Sequence, residues 1–320
     1  MLISLLMVLV GLGLLLGGGE LLIRGASNIA IKARISPTVV GLTIVAAGTS
    51  APELVVSLSA ALAGTPDLAM SNIVGSNIYN IALILGVTSI IQSLKIEGST
   101  VKLEWPVLFL CTCLLHLLGR DGRIDRLEGA FFMAGLVTFV AWTVYIARQE
   151  ISGDQELDIW NEIPGDGNTS WGVSALMTVG GGLLLAAGAQ SLVTGASNIA
   201  ELLGVSQRII GLTIVALGTS LPELVTSVVA AWKRAADIAV ANVIGSNLFN
   251  TLGILGTTAA VTPVPVNDKT LTIDNPWMIG FTLLLFPLMR RKMCLERIEG
   301  ILLLVLLGVY TFMLYITGVA

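Results

Sequence analysis

One histidine and three cysteines in 320 residues leave little material for imidazole or thiolate chemistry. Cys111, Cys113 and Cys294 lie in or beside apolar segments, and an odd number does not close into a disulfide framework, so they are expected to pack. His116 stands alone in its segment, which disfavours a hydrolase using Ser50 or Ser220 as nucleophile, because such a serine needs a nearby His or Lys base. Charge is scarce as well. Only 12% of residues are charged, against roughly a quarter in a soluble domain. The net charge of −4 comes with no basic block, so no nucleic-acid partner is expected. Neither enzymatic activity nor a bound cofactor is indicated.

Apolar residues make up 55% of the chain. A hydrocarbon core of about 30 Å takes about 20 apolar residues per helix. Stretches of that kind recur at 2–23, 37–63, 68–92, 104–119, 127–147, 172–192, 207–232, 238–260, 275–289 and 298–317. The chain is therefore expected to be an all-α polytopic membrane protein with ten transmembrane helices, embedded in a lipid bilayer. The first run lacks a basic lead-in and a small-residue cleavage site, so it is read as a retained span. Loops after odd-numbered spans hold twelve Lys and Arg, among them Arg24, Lys102, Lys233 and Arg291, and those after even-numbered spans hold five. The positive-inside rule then puts both termini outside the cytoplasm of a cell (plasma or inner) membrane. The connection at 148–171 carries six acids from Glu150 to Asp166 and is expected to be a solvated cytoplasmic linker. Nothing specifies an oligomer, and a monomer is compatible with the sequence.

Residues 39–86 align without a gap to 209–256, with 26 of 48 positions identical at a constant offset of 170. The offset holds upstream, where Gly25-Ala26-Ser27-Asn28-Ile29-Ala30 recurs at Gly195 to Ala200. Five spans separate each position from its counterpart, and an odd number reverses orientation. Two inverted five-helix repeats, at 1–147 and 172–320, are expected. Inverted repeats are an architecture of secondary transporters, with the substrate site near the midplane.

Each half carries one glutamate, Glu53 or Glu223, inside an otherwise uncharged apolar span. A charge at a helix centre costs at least about 2.5–3.5 kcal/mol and marks function by default. The preceding prolines, Pro52 and Pro222, remove a backbone donor and free the carbonyls of Gly48 and Gly218, so each helix is expected to break there. The next span supplies Gly75-Ser76-Asn77-x-x-Asn80 and Gly245-Ser246-Asn247-x-x-Asn250. Ser76 and Asn80 share a helix face, as do Ser246 and Asn250. Asn77 and Asn247 lie about 100° round from the serines, open to either a site or a packing role. The donors are carboxylates, the hydroxyls of Thr49, Ser50, Ser76, Thr219, Ser220 and Ser246, and the amide oxygens of Asn80 and Asn250. An all-oxygen set suits calcium or sodium better than zinc or copper, and magnesium less well. Two ionised glutamates neutralise one calcium ion, and can equally receive sodium ions or two protons, so competition for them is enough to couple opposing fluxes.

With GTSAPE and GTSLPE followed by GSNIYN and GSNLFN, the chain resembles the calcium/cation antiporter superfamily, particularly prokaryotic sodium/calcium exchangers, over nearly its whole length. The resemblance implies exchange of three sodium ions for one calcium by alternating access. It also implies metal ligands at Ser50, Glu53, Ser76, Asn80, Ser220, Glu223, Ser246 and Asn250, with the carbonyls of Ala46, Thr49, Ala216 and Thr219. The first and sixth spans, with Gly17 to Gly19 and Gly180 to Gly182, correspond to the pair that slides past the core. Potassium-dependent relatives carry an acid where Asn250 stands, and the proton-coupled branch carries a further glutamate in the second cluster. Neither is present here, so sodium is favoured over a proton/calcium antiporter or a potassium-dependent exchanger.

Overall fold

The computed structural model describes residues 1–33, 35–150, 169–204, 216–233 and 235–316. Most of the acidic linker and the first part of the span expected over 207–232 lie outside these residues. Among the described residues the regular structure is helical apart from four two-residue strands, and eight helices are long and apolar enough to cross a membrane. They are α1 (Leu2–Ala33), α4 (Leu68–Ile91), α5 (Thr100–Asp121), α6 (Arg126–Ala147), α7 (Trp171–Leu202), α9 (Ala236–Val261), α10 (Thr270–Arg290) and α11 (Arg297–Ile316). A further apolar pair, α2 (Thr38–Thr49) and α3 (Ala51–Leu62), meets at a bend of 46°. The shorter α8 (Leu221–Trp232) follows a helical turn at Ala216–Gly218.

The spans lie where apolar runs placed them, but α1 and α7 are each 32 residues long, well past the expected ends at 23 and 192. That is about 48 Å of helix, more than a hydrocarbon core of about 30 Å, so the helices tilt or project. Arg24 and Lys32, expected in a loop, belong to α1. Arg24 does not end the helix because it pairs with Glu20 one turn earlier.

Small residues continue the packing face along both helices. Ser4, Gly11, Gly18 and Gly25 recur every seven residues in α1, as do Ser174, Gly181, Gly188 and Gly195 in α7, and a seven-residue repeat keeps one stripe facing a partner. The helices run antiparallel along this stripe. A Cβ on Gly11 would lie 2.8 Å from the Gly188 carbonyl, and one on Gly18 2.9 Å from that of Gly181. Without side chains the backbones approach closely enough for dispersion to hold them in lipid, where no hydrophobic force drives helices together. Of the glycine triplets, Gly18 and Gly181 meet backbone to backbone across this seam, and Gly180 makes only ordinary contact with Leu21 of α1 at 3.7 Å. Gly182 faces α2 and Gly19 faces α8, whereas a Cβ on Gly17 would have no described atom within 4 Å.

Two helices form the centre. In α9 and α4, 94% and 72% of the most apolar window is buried, against 22–28% in the other long helices. On the far side from α1 and α7, α11 packs on the end of α4, and α6 on the end of α9. Gly86 abuts Leu304 and the Gly300 carbonyl, while Gly256 abuts Met133 and the Gly129 carbonyl. Two ribbons tie the loops together: β1 (Leu94–Lys95) pairs with β4 (Cys294–Leu295), and β2 (Arg123–Ile124) with β3 (Val264–Pro265). The three cysteines are free thiols.

Candidate cation site

The two prolines sit in the first turn of α3 and α8, where a missing N–H goes unnoticed because no intrahelical acceptor precedes it. Just before them the helix is interrupted as expected, and at the same residue in each half. Ser50 has φ −85° and ψ 4°, Ser220 φ −86° and ψ 2°. Glu53 and Glu223 therefore stand in the first turn of a new helix, where the unpaired N–H groups favour negative charge.

Both carboxylates are almost fully buried, 1% and 0% exposed. The Ser50 hydroxyl, from the first half, donates to Glu223 Oε1 at 3.0 Å, and the Thr49 hydroxyl faces the same carboxylate. Among the described residues no Lys or Arg pairs with either acid. Arg24 and Lys233 meet Glu20, and Arg291 meets Glu299.

The central helices α4 and α9 bring the remaining predicted ligands, since Ser76, Asn80, Ser246 and Asn250 are all buried. Thr49 Oγ1 lies 3.5 Å from Ser246 Oγ and 3.4 Å from Asn242 Oδ1, joining the α2–α3 break to α9. Asn80 opens a widened π-helical turn at Asn80–Ile84, and Asn250 lies in one at Phe249–Leu255. Such turns swing a side chain out of α-helical register and cluster at functional sites.

Five buried oxygens among these residues have no hydrogen-bond partner: Glu53 Oε2, Glu223 Oε2, Asn80 Oδ1, Asn250 Oδ1 and Ser220 Oγ. Each costs about 1–3 kcal/mol, more if charged. Together they rival the whole stability of a typical domain, about 5–15 kcal/mol. All five are ligand types that calcium and sodium accept.

Some predicted ligands are placed differently. The Ala46 carbonyl already accepts from the Ser50 N–H at 2.9 Å and the Thr49 hydroxyl at 3.3 Å, so a cation there competes with Thr49. The Gly48 carbonyl freed by Pro52 sits against α7, 3.3 Å from where a Cβ on Gly182 would be. Thr219 is half-buried and Ala216 begins the short helical turn, its side chain outside the described set. His116 lies near the end of α5.

The motif reading missed a supporting pair in each half. Asn72 donates to Ser57 and Asn242 to Ser227, both at 3.1 Å. Their signal was in the repeat itself, because all four are identical at the 170 offset and polar inside apolar spans.

The chain is similar to known proteins over nearly its whole length. A family model described as sodium/calcium exchanger protein matches residues 3–145 and 173–316. The putative antiporter CaxA of Alkalimonas amylolytica is 40% identical, over 98% of this chain and 99% of its own. The sodium/calcium exchanger MaX1 of Methanosarcina acetivorans is 30% identical, over 98% and 99%. A solved structure of the sodium-calcium exchanger NCX_Mj superposes with a TM-score of 0.81 at 29% identity, covering 100% of this chain and 99% of that one. Two matched segments covering nearly the whole chain, with the broken helices and oxygen cluster in both halves, make this protein a cation/calcium antiporter of the sodium/calcium exchanger family.

Proposed function

We propose that the chain exchanges three sodium ions for one calcium by alternating access, in a cell membrane, with both termini outside the cytoplasm. Ten spans in two inverted halves, 1–147 and 172–320, joined by the linker at 148–171, carry this cycle. The five unpartnered buried oxygens of the two repeated motifs, those of Glu53, Glu223, Asn80, Asn250 and Ser220, carry the reading. With Asn80 and Asn250 neutral, the site holds two formal charges, enough for one calcium.

Inversion is supported by the contacts that recur across the halves. Each strand ribbon takes one strand from either half, and β1 and β3 are 170 residues apart. The α1–α7 seam pairs the repeated small residues with one another in reverse order. Across the halves, α2 packs against α9, with a Cβ on Gly245 only 2.6 Å from the Leu42 carbonyl.

Proteoliposomes loaded with sodium test the coupling. They should accumulate labelled calcium only while an outward sodium gradient lasts. Uptake driven as well by a pH gradient alone would assign the coupling to protons, and a strict requirement for potassium would assign a potassium-dependent exchange.

A further inference from the structure

Asn77 and Asn247, the residues that follow the site serines, make a set of hydrogen bonds that the proposed ligands do not account for. Asn247 Nδ2 donates to the backbone carbonyl of Asn77 at 3.3 Å. A carbonyl only accepts, so this bond fixes which end of the Asn247 amide is which. Its Oδ1 is then the end that meets Asn80, and it accepts from Asn80 Nδ2 at 3.0 Å. The NH2 group of Asn80 is thereby engaged, and its Oδ1 is the end left without a partner.

In the other half the anchors are a hydroxyl, which can donate or accept, and a thioether sulfur, which only accepts and so assigns the NH2 end of Asn77. Asn77 Nδ2 donates to Thr251 Oγ1 at 3.0 Å and faces Met278 Sδ at 3.6 Å. Asn77 Oδ1 accepts from Asn250 Nδ2 at 3.1 Å, which leaves Asn250 Oδ1 unpartnered. All four asparagines are 1% exposed, so water does not compete for these bonds.

We propose that Asn77 and Asn247 are positioning residues: each clamps the amide of the opposite half's site asparagine so that its carbonyl oxygen, and not its NH2, faces the transported cation. The inference rests on the proposed reading that Asn80 and Asn250 ligate the cation. It goes beyond it by assigning their orientation to residues that touch no ion.

A clamp is needed because the two ends of an amide have nearly the same shape and opposite polarity. Beside Glu53 and Glu223, a free amide gains by turning its NH2 toward a carboxylate, and hydrogen bonds to charged groups are among the stronger ones. That orientation satisfies the acid and repels a cation. Apparent affinity falls in proportion to the fraction of protein in the competent orientation. A charge-assisted bond favouring the wrong orientation corresponds to about a ten- to hundred-fold loss.

The test is calcium affinity in the full-length exchanger, read as the KM for labelled calcium uptake, with unfolding in detergent as a control. Asn247→Leu keeps the volume and removes the clamp, and should raise KM at least ten-fold. In an Asn80→Asp background both ends of the side chain are oxygen, so orientation no longer matters, and the same substitution should raise KM less than three-fold. An equal loss in both backgrounds would make Asn247 a packing residue, and an unchanged KM in the parent would remove the clamp. Asn77→Leu with and without Asn250→Asp repeats the cycle independently if Asn247→Leu fails to fold. Asn80→Ala with unaltered KM would instead overturn the ligand assignment, distinguishing failure of the site from failure of the clamp.

Discussion

Gly181→Ala tests the seam that holds the two longest helices together. The added Cβ would lie 2.5 Å from Leu22 N and 2.8 Å from Gly18 O, both backbone atoms that cannot rotate away. Ordinary contact begins at 3.4 Å, so α1 and α7 must part locally by about 0.9 Å, the difference between 3.4 and 2.5. Overpacking of this kind costs about 1–3 kcal/mol. Against it stands the intrinsic gain of Ala over Gly in a helix, about 0.5–1 kcal/mol. Gly17→Ala supplies the comparison, since it receives the same gain and no described atom lies within 4 Å of its new Cβ. The propensity term cancels between the two variants. Gly181→Ala should therefore be less stable than Gly17→Ala by about 1–3 kcal/mol. Unfolding midpoints of the purified proteins in one detergent, measured side by side, decide the matter. Equal midpoints, or a lower one for Gly17→Ala, would refute the claim that close backbone approach at this stripe holds the pair.

Three further outcomes follow from the geometry. Glu53→Gln or Glu223→Gln should abolish sodium-driven calcium uptake while the protein still inserts in the membrane; normal uptake in either variant would remove the central assignment. Gly245→Ala would put a Cβ 2.6 Å from the Leu42 carbonyl and should lower the unfolding midpoint in detergent; an unchanged midpoint would contradict close packing of α2 on α9. Lys233→Met breaks a 2.6 Å bond to Glu20 that joins α8 to α1. A largely exposed pair is worth about 0–1 kcal/mol, and this one is about two-thirds buried, so a loss near 1 kcal/mol is expected in detergent unfolding. An unchanged midpoint would show that the contact holds nothing.

The long apolar helices among the described residues were legible because lipid imposes length on apolar runs, and the buried Glu53 and Glu223 because a lone carboxylate in such a run is conspicuous. The helix break was legible too, since Pro52 and Pro222 leave few alternatives one turn before Glu53 and Glu223. The lengths of α1 and α7 were not. Arg24 reads as the end of a span, and its i,i+4 partner Glu20 matters only once the chain is helical. The roles of Asn77 and Asn247 were also hidden, because their partners are asparagines in the opposite half, 167 to 173 residues away in sequence. Helical periodicity orders neighbours along one helix and carries no information about such crossings.

What periodicity could reach least is the difference between two copies of one motif. Thr49 and Thr219 occupy identical positions in the repeat, yet Thr49 is fully buried against α9 and Thr219 is half-buried. Ser50 donates to Glu223, whereas Ser220 Oγ, its counterpart, has no partner among the described residues. Identical residues in unequal surroundings mean that the asymmetry belongs to the conformation and not to the chemistry. The contacts now made by the first half are available to the second by the same side chains, so exchanging roles replaces one set of bonds with an equivalent set. A small difference between two such states is what allows ion binding to shift the population between them. The tilt between them must then come from positions where the halves differ, such as Lys233, whose counterpart is Ala63, and the buried Thr226, whose counterpart Val56 is exposed on the apolar surface. On the proposed alternating-access cycle, those one-sided residues, outside the candidate site, are where the resting orientation is expected to be set.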